Sequence, residues 1–206
     1  MILNSSTMAR INLDQLAKRR LYDKDAARKS QAWFQEQIKY LGDAVSPNAI
    51  MSNAERRRDY IIPGQMYLYF YHPKGIKDLP YYDVFPLVLP FSRDAETFTG
   101  INFHYLPTKL RVVLLKNLLD FATDKKLDEK SRIQLQWQFI GNVSKYRGVQ
   151  AAVKKYRYDH VQGQFLFIPA TQWFNAVMLP VERFRTGPTM SFISKDIIWQ
   201  DSQRYM

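Results

Sequence analysis

Ile62-Pro63-Gly64-Gln65-Met66-Tyr67-Leu68-Tyr69-Phe70-Tyr71-His72-Pro73-Lys74 is the stretch that decides the fold of this chain. Successive side chains of a strand point to opposite faces, so Met66, Leu68 and Phe70 share one face and Tyr67, Tyr69 and Tyr71 the other. Neither face is polar, which predicts a strand covered on both sides. Working outward, Leu79-Pro80-Tyr81-Tyr82-Asp83 carries turn residues, and Pro86 to Phe91 and Thr97 to Tyr105 read as two more strands. Arg93-Asp94-Ala95-Glu96 supplies the hairpin turn before the last of them. Pro86 and Pro90 lack an amide donor and predict edge positions or bends.

On both sides of this β unit the apolar period becomes helical. Downstream, Leu110, Val113, Leu114, Leu118 and Phe121 form a stripe, with Pro107 tolerated in the first turn. Asp128 caps a second helix with Ile133, Trp137 and Ile140 buried, and Val149, Ala152, Val153 and Tyr156 mark a third. Upstream, residues 11–41 read as two helical pieces, capped by Asn12 and carrying Leu13, Leu16, Leu21, Trp33, Phe34, Ile38 and Leu41. Residues 43–62 read as a linker bearing the basic cluster Arg56-Arg57-Arg58.

Past the third helix, Phe165 to Ile168 and Ala176 to Pro180 read as strands around a short turn of helix at Ala170 to Phe174, and the tail packs back through Ile198 and Trp199. The expected class is α+β. A small, strongly bent antiparallel β-barrel of the SH3-like kind occupies residues 63–206, with helices inserted over 107–158, and residues 1–62 form an N-terminal helical arm and basic linker.

With 206 residues, 46% apolar and 24% charged, the chain suits one domain with a sizeable core plus an arm. The absence of cysteine excludes disulfides and thiolate metal sites and fits a reducing compartment. Met1 to Ser6 lack the pattern of a signal peptide, and the apolar run from Val84 to Phe91 is broken by prolines far short of the roughly 18 residues a bilayer span needs. A soluble intracellular protein without a membrane partner is expected.

The net charge is +11, and its distribution matters more than its size. Residues 109–158 hold 12 Lys/Arg against 4 Asp/Glu, whereas 63–108 hold 3 against 4. Charge concentrated on a few elements suits a polyanion, because neutralising phosphates releases condensed counterions. The candidates for DNA contact are Lys109, Arg111, Lys116, Lys145, Arg147, Lys154, Lys155 and Arg157, with Arg56, Arg57 and Arg58 as a second cluster. On the third helix Arg147, Lys154 and Arg157 can lie on neighbouring turns away from the Val149, Val153 and Tyr156 stripe, making a line of cations about one helix long. No base-reading element stands out, so contact with double-stranded DNA would be sequence-independent. Tyr67, Tyr69, Tyr71, Tyr81 and Tyr82 could stack on unpaired bases, but they lie in the neutral part of the chain and read better as core.

Catalytic patterns are missing. His72, His104 and His160 stand far apart without partners at metal-ligand spacing, and no phosphate-cradling glycine loop or nucleophile elbow occurs. A metal-dependent nuclease needs clustered carboxylates, and the best candidate, Asp94-Ala95-Glu96, sits in the hairpin turn. Asp83 reads as a cap or a lone buried acid. No catalysis, metal or small-molecule cofactor is expected.

The block from Gly64 through Leu87, then Gly100-Ile101-Asn102-Phe103-His104-Tyr105-Leu106-Pro107, Val177 to Phe184 and Trp199-Gln200-Asp201-Ser202, resembles small virion proteins of T-even-type contractile-tailed bacteriophages. Within that group it is similar to the DNA end protector, or head-completion, family, and the resemblance covers roughly residues 60–202. It implies a non-catalytic protein that sits on the end of packaged DNA, shields it from host exonuclease and is found in the virion and, during assembly, in host cytoplasm. It supplies no catalytic residues; Gly64 and Gly100 look like backbone determinants and Pro80 and Pro107 like turn determinants. The competing reading is a structural subunit of the neck, tail or baseplate, whose basic helices meet other virion proteins and whose tail docks through Ile198 and Trp199. An enzyme with an unrecognised site is a distant third.

Overall fold

In the computed structural model, which describes residues 47–122, 138, 140–142 and 147–203, the aromatic stretch forms strand β2 (Met66–Tyr71). Both of its faces are covered, as its composition requires: all but Phe70 are buried. Gly64, with φ of 86°, makes the left-handed turn into it that only glycine adopts without strain. The other strands are β1 (Arg57–Arg58), β3 (Tyr81–Asp83), β4 (Leu87–Arg93), β5 (Thr97–Asn102), β6 (Val153–Arg157), β7 (Val161–Ile168) and β8 (Phe184–Thr186). The helices are α1 (Pro47–Met51), α2 (Thr108–Ala122), α3 (Arg147–Gln150), α4 (Trp173–Met178) and α5 (Lys195–Gln203), with short 3-10 turns between several elements.

Six strands form one antiparallel sheet in the order β1-β7-β2-β4-β5-β6, and β3 pairs with β8 in a second, two-stranded one. The register brings Tyr67 opposite Val88 on β4 and Phe167 on β7, Leu89 opposite Ile101, and Thr99 opposite Lys155. Pro90 sits in β4 between two neighbours, and the β4–β5 register shifts between Pro90 and Ser92, so the proline marks a bend. Opposite it, Gly100 is needed for close approach: a Cβ there would lie 2.5 Å from Val88 Cγ1 and 2.8 Å from the Leu89 carbonyl.

The sheet is strongly bent. Laid flat, β6 and β7 would stand four strand spacings apart, roughly 19 Å. The chain nevertheless passes from Arg157 to Val161 through the single turn Tyr158–His160, which even stretched spans at most roughly 14 Å. The curl wraps an aromatic cluster: Phe98 on β5 meets Phe165 on β7 at 5.8 Å, and Tyr69 lies 5.6 Å from Tyr156 on β6. These rings, with Ile61, Tyr67, Tyr71 and Val88, make one core. Among the described residues no ladder joins β6 to β1 or β7, so the expected closed SH3-like barrel is replaced by an open, curled α+β sheet.

Helix α2 starts on Pro107, whose carbonyl receives the amides of Leu110 and Arg111. Its buried face is Arg111, Leu114, Leu115 and Leu118, a helical i, i+3, i+4, i+7 set, and it packs against α4. Three sequence expectations fail. Ala176 to Met178 belong to α4, a helix, because a four-residue apolar run ending at proline has no period of its own and packing on α2 decides it. Residues 153–157 form β6, not a third helix, since pairing with β5 captures them. Residues 57–58, read as linker, pair with β7, and Ile61 is fully buried. Thr108–Ala122 is helical as expected, while the N-terminal arm up to residue 46 and the Asp128, Ile133 and Trp137 assignments lie outside the described residues.

Candidate nucleic-acid interface

Strand pairing, not a helix, places the basic residues at 57–58 and 154–157. Arg57 and Arg58 form one outer strand of the sheet, and Lys154, Lys155 and Arg157 lie on the other. Alternation along β6 separates its cations. Tyr156 points into the aromatic core, so Lys154 shares its side of the sheet, while Lys155 and Arg157 face outward.

The consequence for each is measurable. Lys155 is exposed. Lys154 is half-buried, with its ammonium 4.2 Å from the centre of the Tyr105 ring, and burial pulls its pKa down. Arg157 donates through Nε and Nη2 to both oxygens of Asp159, at 2.9 and 2.7 Å, with Glu96 at 3.8 Å. The hydrogen bonds to Asp159 and its charge hold the Arg157 pKa above its usual value. An exposed two-toothed pair of this kind is easily exchanged for phosphate, because solvent screens it.

On the opposite edge, Arg57 is exposed and donates from Nε to the Met51 carbonyl at 2.9 Å. Arg58 donates from Nη1 to the Glu55 and Arg57 carbonyls, both at 2.8 Å, and lies over the Phe167 ring. Arg56 is half-buried and bonded to the Gln172 side-chain oxygen. Lys109 and Lys116 are exposed on α2; seven residues apart, they share one face of the helix. Lys145, and the side chain of Arg147 at the start of α3, lie outside the described residues.

Arg111 does not belong to this surface. It is 1% exposed, and its guanidinium donates to the carbonyls of Leu106 (2.7 Å), Val177 (3.1 Å) and His104 (3.2 Å) and pairs with Glu182 at 2.7 Å. Burial draws the Arg111 pKa down and Glu182 only partly offsets this, but the intrinsic basicity of arginine keeps it charged. Burial also pushes Glu182 up, yet Arg111, with His104 and Lys195, outweighs that and holds the carboxyl below its usual range.

The two residues read as a docking tail are turned inward. Ile198 is fully buried, and the Trp199 indole donates to the His104 carbonyl at 2.8 Å, with Arg111 and Lys195 each 5.2 Å from its ring centre. The same turn is braced by Asp83, whose buried carboxyl meets His104 Nδ1 at 2.8 Å, the Asn102 amide at 3.0 Å and the Phe85 amide at 3.1 Å. His104 and Asp83 are therefore structural. Tyr67, Tyr69, Tyr71 and Tyr82 are core, as the neutral charge around them suggests, and Tyr81 is half-buried, bonded to Asp201.

Residues that the sequence did not single out stand beside the basic edge. Tyr60 is 57% exposed and Ile62 40%. Arg93, read only as a turn residue, donates from Nη1 to the Ile61 carbonyl at 2.9 Å and hydrogen-bonds the Tyr158 hydroxyl. The signal was Arg-Asp-Tyr at 58–60, a cation and a ring two residues apart where β1 ends in a bend. Among the described residues no cluster of His, Asp and Glu can hold a metal ion, and no helix is long and apolar enough to cross a membrane.

Comparison with known proteins adds one finding. No curated protein and no solved structure matches the chain. A protein-family model described as phage T4 terminal DNA protecting protein matches residues 7–202. The match reaches well upstream of residue 60, where the resemblance read from sequence began, and so takes in the N-terminal segment and the Arg56–Arg58 cluster as well. Spanning nearly the whole chain, it establishes that this protein belongs to the phage T4 terminal DNA protecting protein family.

Proposed function

We propose that this protein is a non-catalytic virion protein that binds the end of packaged double-stranded DNA and shields it from host exonuclease during head completion. The match to the family over residues 7–202 carries the reading. The geometry supports it through exposed cations, Arg57 on one sheet edge, Lys155 and Arg157 on the other, and Lys109 and Lys116 on α2. Protection is steric: a protein clamped on the terminal phosphates denies the nuclease its entry point. No step of bond cleavage is required, and no metal or small-molecule cofactor enters the mechanism. The protein acts in host cytoplasm during assembly and stays in the virion.

Exonuclease degradation of blunt linear duplex, with and without the protein, tests this alongside affinity for a closed circle of the same sequence across a salt series. Protection of the linear form with weaker circle binding is expected. Equal weak binding to both without protection overturns the reading.

A second reading has its own observation. Phe192 is 70% exposed, with Met190 and Ile197 also exposed nearby in sequence, and exposed apolar side chains of this size suit a protein neighbour. A structural subunit of the neck, tail or baseplate would dock through them instead of through Trp199. Reversing charge at Lys109, Lys116 and Lys155 separates the two, because only the DNA reading expects protection to fall.

A further inference from the structure

We infer that Tyr60 recognises a DNA terminus by stacking on the exposed face of its last base, with Arg58 and Arg93 beside it to hold the terminal phosphates. The inference rests on the end-binding reading and supplies what that reading lacks, a reason to prefer an end. Backbone cations such as Lys155 meet the same phosphates along any duplex. Only a terminus offers the flat face of a base, because every internal base pair is covered above and below by its neighbours.

A single exposed tyrosine is ordinary. This one is held on a fixed backbone. The Ile61 carbonyl receives Arg93 Nη1 at 2.9 Å, and the Ile62 amide donates to the Tyr67 hydroxyl at 3.0 Å. The Tyr67 hydroxyl in turn donates to Gln65 at 2.8 Å. Ile61 is buried in the aromatic core, while Tyr60 and Ile62 on either side of it are turned to solvent. The backbone that carries the ring is therefore ordered before binding.

The cations are placed by the same contacts. Arg93 bridges the Ile61 carbonyl and Tyr158. Tyr158 packs on Phe98 at 5.2 Å and Phe165 at 6.4 Å, and Phe165 is the register partner of Arg58. Nearby acids are already engaged: Asp94 accepts from the amides of Glu96 and Thr97 and the Thr97 hydroxyl, and Asp59 accepts from Gln164. An exposed aromatic face flanked by guanidinium groups is the chemistry that binds an uncovered base together with its phosphate.

The test compares binding to a short blunt duplex with binding to a closed circle, for the wild-type protein and for Tyr60→Ala and Tyr60→Phe, at fixed salt. Stacking on one base predicts that Tyr60→Ala lowers affinity for the duplex end by roughly 5- to 100-fold, leaves circle affinity unchanged and removes the preference for ends. Tyr60→Phe keeps the ring and keeps the preference. Circle binding by Tyr60→Ala also reports that the variant is folded. If Tyr60→Ala retains the wild-type preference for ends, or loses circle and end affinity in equal proportion, the stacking inference falls while end binding stands. If the wild-type protein itself shows no preference for ends, the end-binding reading falls with it.

Discussion

Replacing Glu182 by glutamine should destabilise the fold by leaving a buried guanidinium without its carboxylate. Both partners of the Arg111–Glu182 pair are nearly free of solvent contact, with side-chain exposures of 2% and 5%. Glutamine keeps the volume and can accept one hydrogen bond, but leaves the buried guanidinium, held by three backbone carbonyls, without the carboxylate it pairs with. Removing one partner of such a pair costs about 3–5 kcal/mol, and the retained hydrogen bond places Glu182→Gln near 3. For a chain of this size that corresponds to a fall in Tm of about 6–12 °C.

Urea unfolding followed by tryptophan fluorescence is the direct assay, and Trp199, one of the four tryptophans, lies against Arg111. The midpoint should move at unchanged slope. Adding Arg111→Met to Glu182→Gln removes the stranded charge but leaves the carbonyls of Leu106, Val177 and His104 without their donor, so the double variant should not regain wild-type stability. The pair also sets an acid limit. The folded Glu182 carboxyl titrates below its ordinary value of 4.5, so its contribution is complete above that pH and is lost as pH falls through the lower folded value. Glu182→Gln should therefore flatten part of the stability loss below pH 4.5. A cost under about 1 kcal/mol, or an acid stability loss that Glu182→Gln leaves unchanged, would refute the description of this pair as dehydrated and charged.

Gly100→Ala forces a methyl into 2.5 Å of Val88 and into backbone on β4, and should cost about 1–3 kcal/mol in the same unfolding assay. Asp83→Ala strands the Phe85 amide, the Asn102 amide and His104 at once; about 1–3 kcal/mol for each buried group left unpaired predicts a visibly lower Tm by calorimetry. Charge reversal at Lys155 should shallow the plot of log affinity against log salt for duplex DNA by about 0.9 if it contacts one phosphate. Arg111→Met, provided the protein is folded, should leave that slope where it was.

The β unit was legible because its composition admits one solution. With apolar side chains on both faces of Met66–Tyr71, only a covered strand satisfies the segment, and Pro90 and Gly100 announced a bend and a special backbone position in advance. What misled were segments whose pattern fits two periods. Val149, Ala152, Val153 and Tyr156 recur at helical spacing, yet β5 offers an open ladder and residues 153–157 take it. Ala176 to Leu179 has no period to read, and contact with α2 makes Ala176–Met178 helical. Arg111 deceived for a different reason: charge suggests surface, but its place at i−3 and i−4 from Leu114 and Leu115 put it on the buried face. Its partner Glu182 lies 71 residues away, beyond any local signal. Arg93 and Tyr60 were missed likewise, because the backbone bonds that fix them depend on how β4 meets the entry to β2.

The strand order also fixes a schedule for synthesis. β2 lies between β4, which follows it within about twenty residues, and β7, which emerges roughly a hundred residues later. At translation rates of about 5–20 residues per second, one flank of Met-Tyr-Leu-Tyr-Phe-Tyr waits of the order of 5–20 s for its partner. For that interval the nascent chain presents an uncharged, aromatic strand edge of the kind that pairs with other copies. High-level expression should therefore lose protein to inclusion bodies through the unfinished chain, and slower synthesis in the cold, or a holdase that covers residues 66–71 until β7 arrives, should recover it.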